Sequence, residues 1–564
     1  MAIEDPITHD NLNQKKTFLR STQDMITGHW TVPPKHRTVE QDAAEEWLIT
    51  CYLGNNRYFS LPFLRFTRWY LFFASFLVQF CIGSLYSWSV FNKPIDLHVY
   101  GNEKAGRAVD AFYISVGVFG TTTAIMGPWI ERRGPRAGVV LGTSSFLIGN
   151  IIVGIGVYYK AIAAIYIGYG IFCGFGMGLC YISPVSTLQK WFPDYRGTAA
   201  GFAVGGYGAG SVVWAKVYLP CIDAIGLSST FILIGCVMAF AMYMSALVLR
   251  SPPFGFVVSG LNIHGEEVDK ADEAMPLGDK VSPHEYESIP MTTKQGVQKT
   301  VDFTPATETL IRNLTLIDAI KTPDFVCMYI MFFGNQLYGL IVLSKLSSMC
   351  TDIFDKSANQ ASDIVSINGV FNCCGRLVFP LLSDVFVRKI KMEHAFARKC
   401  LYFYALASQA VILGTIPIIM RNNNYSAFVA EVFILTASYG GGFGTIPVFL
   451  TDMFGAFNIG AMHGLILTAW SIGGVVGGIT FNNTYSDQIA DGWDIREAYI
   501  YSVRRILVIV IVGFMLLFLV RTKGADRFAP GYRLSIFGRR VINIKGKQEI
   551  MKEEPLMMQR SNPT

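Results

Sequence analysis

The sequence predicts an all-α integral membrane protein with twelve transmembrane helices in two six-helix, pseudo-symmetric bundles. Three observations carry the prediction. The 564 residues are 51% apolar and only 16% charged, with 54 Gly, 41 Phe and 26 Tyr, whereas soluble domains carry roughly 25% charged residues. Long apolar runs recur, six on each side of a polar stretch. The two sets of six also match each other at fixed offsets. Low charge with high aromatic content excludes disordered and coiled-coil classes, and no Gly-X-Y period supports collagen.

Residues 1–66 are polar and lack the basic, apolar, small-residue order of a cleaved signal peptide, so they read as a cytosolic N-terminal tail. Apolar runs at 67–91, 108–130, 136–159, 161–188, 197–220 and 228–249 can each cross a hydrocarbon core of roughly 30 Å as a helix, and they define a first bundle over 67–249. Residues 250–320, rich in Glu, Asp, Ser, Thr and Pro, read as a cytosolic linker. Runs at 325–345, 362–385, 400–420, 426–450, 459–481 and 499–521 form a second bundle over 321–521, and 522–564 is the C-terminal tail. The eleven cysteines lie mostly inside apolar runs without a CxxC pair, so they read as packing residues, and no metal or cofactor is expected.

Charge beside the spans sets the orientation. Arg132, Arg133 and Arg136 follow helix 2, and Arg388, Lys389, Lys391, Arg398 and Lys399 follow helix 8; both groups belong inside, which puts both termini in the cytosol. The net-acidic 250–320 stretch has little say, because long loops contribute weakly to topology. Plasma membrane is the default, with an organelle membrane as the alternative. Two Asn-x-Ser/Thr triplets, at Asn424 and Asn482, fall on expected outer loops but are common by chance.

Aligning Pro184 with Pro447, an offset of 263, also pairs Trp191 with Phe454, Gly197 with Gly460, Gly201 with Gly464 and Gly210 with Gly473. An offset of 253 pairs Glu131-Arg132-x-x-x-Arg136 with Asp384-x-x-x-Arg388-Lys389, each closing the second helix of its half. Repeated halves of this kind place a substrate near the midplane, between bodies that rock against each other.

With these motifs on hand, Gly127-x-x-x-Glu131-Arg132-x-Gly134-x-Arg136 and its degenerate copy Pro380-x-x-x-Asp384-x-x-x-Arg388-Lys389, the chain resembles the major facilitator superfamily. The resemblance implies a gating role for Gly127, Glu131, Arg132, Arg136, Asp384 and Arg388. A narrower resemblance is to the oxalate/formate antiporters and their monocarboxylate-carrier relatives. It covers 67–521 and rests on Gly83-x-x-Tyr86-x-Trp88-Ser89-Val90-Phe91, Phe192-Pro193-x-x-Arg196-Gly197 and Asn368-Gly369-x-x-Asn372-x-x-Gly375-Arg376 with Ser383-Asp384.

Arg376 is the residue expected to carry chemistry. It precedes Asp384 by eight residues, roughly 12 Å of helix, which places a guanidinium near the bilayer centre. A cation there costs at least about 2.5 kcal/mol and needs a partner or a wet cavity. No carboxylate is expected at its depth, and a guanidinium fork fits a carboxylate through two parallel bonds. The resemblance implies the same contact. The oxalate carriers have a lysine where Trp470 stands here, so one cation faces the substrate, which favours a monoanion over a dianion. Tyr86, Trp88, Tyr181, Asn335, Gln336, Tyr338 and Asn372 are further mid-depth candidates for the cavity. Lys216, Asp110, Glu431 and His463 read as residues near helix ends.

The expected function is secondary active transport of a small organic anion, a monocarboxylate first, by alternating access, with exchange or proton coupling. The alternatives are a larger carboxylated nutrient such as a vitamin, a neutral metabolite, or a non-transporting membrane sensor or scaffold. No Walker-type loop supports ATP-driven pumping, and no nucleophile, base and orienting group stand at an enzyme's spacing. The expected partners are the organic anion and the lipid bilayer; the chain reads as a monomer without nucleic acid.

Overall fold

The computed structural model describes residues 28–30, 32, 38–54, 57–103, 105–253, 255–265, 267, 316–527, 531–536 and 539–544. Most of the expected linker and both chain ends lie outside these residues.

Twelve long helical rods make up the described body. In the first half, α1 joins Tyr70–Ile82, the 3-10 turn Gly83–Ser87 and Ser89–Tyr100; α2 is Ala108–Arg133 and α3 is Pro135–Tyr158. Then α4 joins Ile162–Ile165, a π-helical stretch Tyr166–Cys173 and Gly174–Trp191; α5 is Arg196–Ile225 and α6 is Leu227–Val248. In the second half, α7 is Pro323–Phe354, α8 Ala358–Lys389, α9 His394–Arg421 and α10 Tyr425–Phe454. Finally α11 joins Ile459–Ile472, the π-turn Gly473–Gly477 and Gly478–Ala490, and α12 is Ile495–Leu519. Ten rods are long and apolar enough to cross a membrane, and α7, bent by 52° along its length, makes up to eleven. The remaining rod, α5, is rich in glycine and is packed between α1 and α8. The chain is a multi-pass membrane protein.

Helices of the second half outrun their apolar runs because polar residues start them. Thr322 caps α7 by accepting from the Phe325 amide, Ser357 and Gln360 form a reciprocal capping box on α8, and Asn424 caps α10.

Close helix contact depends on glycine. A Cβ on Gly127 would stand 2.7 Å from Ala461 Cα, and one on Gly464 would collide with the Thr123 carbonyl, so α2 and α11 touch backbone to backbone. A Cβ on Gly201 would stand 3.0 Å from the Arg376 carbonyl oxygen, which seats α5 on α8 in the same manner. Gly201 and Gly464 are matched repeat positions, and each presses on the opposite half.

To the helices the structure adds hairpins outside the expected spans. One pairs β1, Trp47–Gly54, with β2, Arg57–Arg65; a short one pairs β3, Val257–Val258, with β4, Leu261–Asn262; a third pairs β5, Tyr532–Ile536, with β6, Arg539–Ile544. The β1–β2 and β5–β6 hairpins lie at one end of the bundle, here termed the tail side. Arg250, just past α6, donates to the Glu45 and Trp47 carbonyls at 2.7 and 2.9 Å and to that of Leu48 at 2.6 Å, with Phe66 under its guanidinium at 4.1 Å. Arg521, just past α12, is held by Asp324 at the start of α7 at 2.7 Å. One cation thus fastens each flanking segment to its half.

Gly464→Ala forces the α2–α11 backbones apart and should cost about 1 to 3 kcal/mol. Gly414→Ala, on an exposed face of α9 with no atom within 4 Å of the new Cβ, should gain roughly 0.5 to 1 kcal/mol from helix propensity. Thermal unfolding of the two purified variants should move in opposite directions.

Candidate functional site

Arg376 lies in the interior of α8 and is wholly buried. Its Nε donates to Asn372 Oδ1, one turn earlier, at 2.7 Å, and its Nη2 reaches the Tyr86 hydroxyl of α1 at 3.5 Å. Nη1 is buried without a hydrogen-bond acceptor. Around the guanidinium stand aromatic rings from both halves: Phe443 at 4.5 Å, Tyr207 at 5.2 Å and Tyr86 at 5.8 Å from its carbon to the ring centres. Among the described residues, no carboxylate forms an ion pair with it. Ring faces offset part of the burial cost, each contributing up to about 2 kcal/mol when desolvated, but they supply no hydrogen-bond acceptor for Nη1.

A polar relay leads on from the arginine. The Tyr86 and Tyr439 hydroxyls are 2.8 Å apart, and Trp470 Nε1 donates to Tyr439 at 3.2 Å. The Trp470 indole meets Phe119 and Phe443 edge-on at 5.2 and 5.8 Å. Local sequence explains the assembly. Glycines 440 and 444 of α10 face the Asn372 and Arg376 carbonyls so closely that a side chain at either would collide. Gly83 opens the 3-10 turn of α1 directly beneath the Tyr207 carbonyl, which lets Tyr86 reach the centre.

Of the expected cavity residues, the structure brings Arg376, Asn372, Tyr86 and Trp470 together. Tyr181 adjoins them, edge-on to Tyr207 at 5.7 Å with its hydroxyl unpartnered. Gln336 donates to Asn335 at 2.7 Å beside Gly442, and its Oε1 has no donor. Trp88 is placed elsewhere: it stacks on Tyr169 at 3.8 Å, lies among Phe91 and Phe231, and donates to the Ala108 carbonyl. Residues two apart on a helix do not share a face, so Tyr86 and Trp88 cannot both turn inward. Tyr338 is buried with its hydroxyl unpartnered, within electrostatic reach of Glu431 and outside the arginine's shell.

Sequence reasoning missed Tyr207, Tyr439, Phe443 and Phe119. A signal for Tyr207 existed, because the 263 offset pairs it with Trp470. It also missed the placement of His463. This residue is fully buried rather than at a rim, both ring nitrogens lack partners, and its ring lies 5.7 Å from Tyr181. A groove of about 610 Å³ lined by Asp110, Tyr113, Tyr166 and Val475 lies on the α2–α4–α11 flank and contains none of the expected cavity residues.

At the tail side the two halves are locked by exchange of carboxylates. Glu131 Oε1 accepts from the Gly460 amide at 2.8 Å, at the first turn of α11, while Lys190 pairs with its other oxygen. Asp384 accepts from the Gly197 and Thr198 amides at 3.1 and 2.7 Å, at the first turn of α5. Glu131 and Asp384 match at one repeat offset, Gly197 and Gly460 at the other, so each half caps a helix of its counterpart. Asp384 also binds Arg398 at 2.8 Å, Arg398 binds Asp452 at 3.1 Å, and Asp452 binds Arg196 across the seam at 3.2 Å. Thr451 donates to Gln189, and Arg388 donates to the Asp194 carbonyl over the Tyr195 ring. Thus Gly127, Glu131, Asp384 and Arg388 of the expected gate meet at the seam. Arg132 donates to the His29 carbonyl at 2.6 Å, and Arg136 donates to the Ala246 and Leu247 carbonyls at the end of α6, both at 3.2 Å. Basic side chains near a helix C-terminus serve its last carbonyls in this way. Toward the far side the polar links include Asn482 on Tyr113 and an exposed Lys216–Asp363 pair at 3.9 Å.

A family profile described as Major Facilitator Superfamily matches residues 69–478. The chain belongs to the major facilitator superfamily. Among curated relatives, an uncharacterized transporter of this type, YhjX of Escherichia coli, is 22% identical over 413 residues, 72% of this chain and 86% of that protein. The oxalate:formate antiporter of Oxalobacter formigenes is 23% identical over 416 residues, 73% and 83% of the two chains. Human monocarboxylate transporter 11 is 28% identical over 107 residues, covering 18% of this chain and 23% of that one. Among solved structures, the proton:xylose symporter XylE aligns with a TM-score of 0.56 at 13% identity, over 81% of this chain and 98% of that one. An outward-facing bacterial ferroportin homologue aligns with a TM-score of 0.54 at 11% identity, over 80% of this chain and 98% of that one. These structures share the fold, and this superfamily protein is a membrane transporter.

Asp452→Asn should weaken the lock, because truncating one partner of a buried charge pair costs about 3 to 5 kcal/mol. With spin labels at Arg133→Cys and Lys389→Cys, on the tail-side ends of α2 and α8, pulsed electron paramagnetic resonance should show a longer distance population in the Asp452→Asn background. An unchanged distribution would count against the lock.

Proposed function

We propose that this transporter carries a small organic monoanion, a monocarboxylate first, by alternating access of its two halves, with Arg376 as the carboxylate anchor. The observation that supports this most is a fully buried guanidinium with an open Nη1, ringed by aromatic side chains of both halves and paired with no acid among the described residues. A carboxylate can accept two parallel charge-assisted bonds from the fork, and it neutralises the cation in a low-dielectric site. Tyr207 and Phe443 suit a small apolar body, and Trp470 brings an indole where oxalate carriers bring a second cation. Two relatives, the oxalate:formate antiporter of Oxalobacter formigenes and human monocarboxylate transporter 11, agree with an organic anion.

Alternating access follows from the seam. With the tail side locked by the exchanged carboxylates and Arg376 wholly buried, entry in this reading requires the far side to open, and release requires the lock to break while the α2–α11 and α5–α8 contacts act as pivots. The tails face the cytosol in this reading. An anchor without its anion leaves an uncompensated charge at mid-membrane and resists reorientation, which favours exchange. His463 supports proton coupling as a second reading of the same cycle. It is a buried imidazole with both nitrogens unpartnered, next to Tyr181 and between α11 and α4.

In proteoliposomes, Arg376→Gln should lower uptake of radiolabelled formate or lactate by about a hundredfold or more, the equivalent of at least about 3 kcal/mol. Transport at the normal rate would overturn the anchor. Trp470→Lys, which restores a second cation, should raise the preference for oxalate over formate. If protons are coupled, His463→Gln should abolish the stimulation of uptake by an inward proton gradient; with exchange alone, wild type and variant should both ignore that gradient.

A further inference from the structure

The β1–β2 hairpin presents a surface that neither the transport site nor the seam uses. Side chains alternate across a strand, and β2 exposes Arg57, Phe59 and Leu61 at alternate positions, then, past a register shift in its pairing with β1, every residue from Pro62 to Arg65, Phe63 and Leu64 included. An apolar centre is thereby flanked by a guanidinium at each end. Phe63 is 80% exposed and Phe59 51%, and at the turn end of β1 Leu53 is 69% exposed. Large apolar side chains at this density, rimmed by polar groups, mark a surface with an occupant.

Three observations identify the occupant as lipid. Arg65 precedes Tyr70, the first residue of α1, by five positions, so at about 3.4 Å per residue the strand ends within roughly 17 Å of the span. The exposed apolar surface continues without interruption of character through Trp69, Tyr70 and Phe73 onto the lipid-facing side of α1. Between residues 47 and 69 there are three arginines and no acidic residue. Arginine at the margins and aromatics at the centre match an anionic headgroup layer over acyl chains.

The opposite side of the hairpin is tied to the gate. Arg250 clasps its first strand, and Arg68 grips Asp194 with two bonds at 2.8 Å each. The carbonyl of the same Asp194 accepts from Arg388 of the second half. A load on the hairpin therefore reaches the tail-side seam through Arg68, Asp194 and Arg388.

We propose that the β1–β2 hairpin is a lipid-reading arm: its Arg57–Arg65 face inserts into the tail-side leaflet, selects anionic phospholipid and steadies the closed seam through Arg68, Asp194 and Arg388. The cytosolic leaflet is the anionic one, which agrees with the orientation of the short basic loops. The proposal stands apart from the identity of the transported substrate.

The test is hydrogen–deuterium exchange of the full-length protein in nanodiscs of phosphatidylcholine, with and without phosphatidylserine. Hairpin amides between Tyr52 and Leu64 should exchange roughly thirtyfold more slowly with phosphatidylserine, as two surface arginines predict. Arg57→Gln with Arg65→Gln should erase the difference between the two lipids and speed exchange at the tail-side ends of α5 and α8 as the seam loosens, and Phe63→Ser should reduce hairpin protection in both lipids, while exchange in α3, α9 and α12 stays at wild-type level and reports intact folding. Equal hairpin exchange of the wild type in the two lipids would overturn the proposal. Protection that depends on protein concentration rather than lipid would also overturn it, by assigning the face to a second copy of the chain.

Discussion

The architecture depends on two carboxylates that have crossed from one half of the molecule to the other. Glu131 sits on the first amide turn of α11, and Asp384 sits on that of α5. A helix N-terminus presents unmet N–H groups and a positive dipole end, so an acid held there contributes up to about 2 kcal/mol in a partly buried setting. Because the two exchanges are related by the internal repeat, neither half closes the tail side alone. Lys190, Arg398, Asp452 and Arg196 extend the same interaction into a network whose members satisfy one another, which is the condition under which buried charge is tolerated.

Arg376 sits under that lock and differs from it in kind. The charges at the seam are matched cation to anion, whereas the central guanidinium has an amide, a phenol and ring faces. Glycine makes both arrangements possible. Gly127, Gly464 and Gly201 bring the halves into backbone contact, while Gly440 and Gly444 let α10 press against α8 around the arginine. The same close approach that seals the interior therefore also positions the cation at its centre. Aromatic side chains line the same centre: Tyr86, Tyr207 and Phe443 set ring faces around the guanidinium, with the Tyr86 and Tyr439 phenols and the Trp470 indole as the hydrogen-bonding edge.

The fold was legible in the sequence because its signals are local and repeated. Apolar runs, Pro184 with Pro447, and the glycine matches report helices and their duplication without any tertiary information. Part of the site was legible for the same reason, since a lone arginine eight residues inside a span is conspicuous wherever the helix packs. Tyr207 was accessible through its repeat partner Trp470, but Tyr439 and Phe443 carry no such mark among so many aromatic residues. The hairpin was not legible because the apolar runs of 47–65 are short, broken by Gly54, Asn55, Asn56 and Arg57, and lie at the end of a polar tail.

What the sequence by itself determined is the set of membrane-crossing helices, the twofold repeat and the position of Arg376 within its helix, all of which follow from composition and rise per residue along one chain. The tertiary structure alone decided which face of each helix turns inward. It sent Tyr86 to the arginine and Trp88 away from it, buried His463 against Tyr181, and gave Asp384 to Gly197 of the other half. Rotation about a helix axis and pairing between distant helices are set by side-chain packing and by which donors meet which acceptors, and spacing along a chain does not encode either.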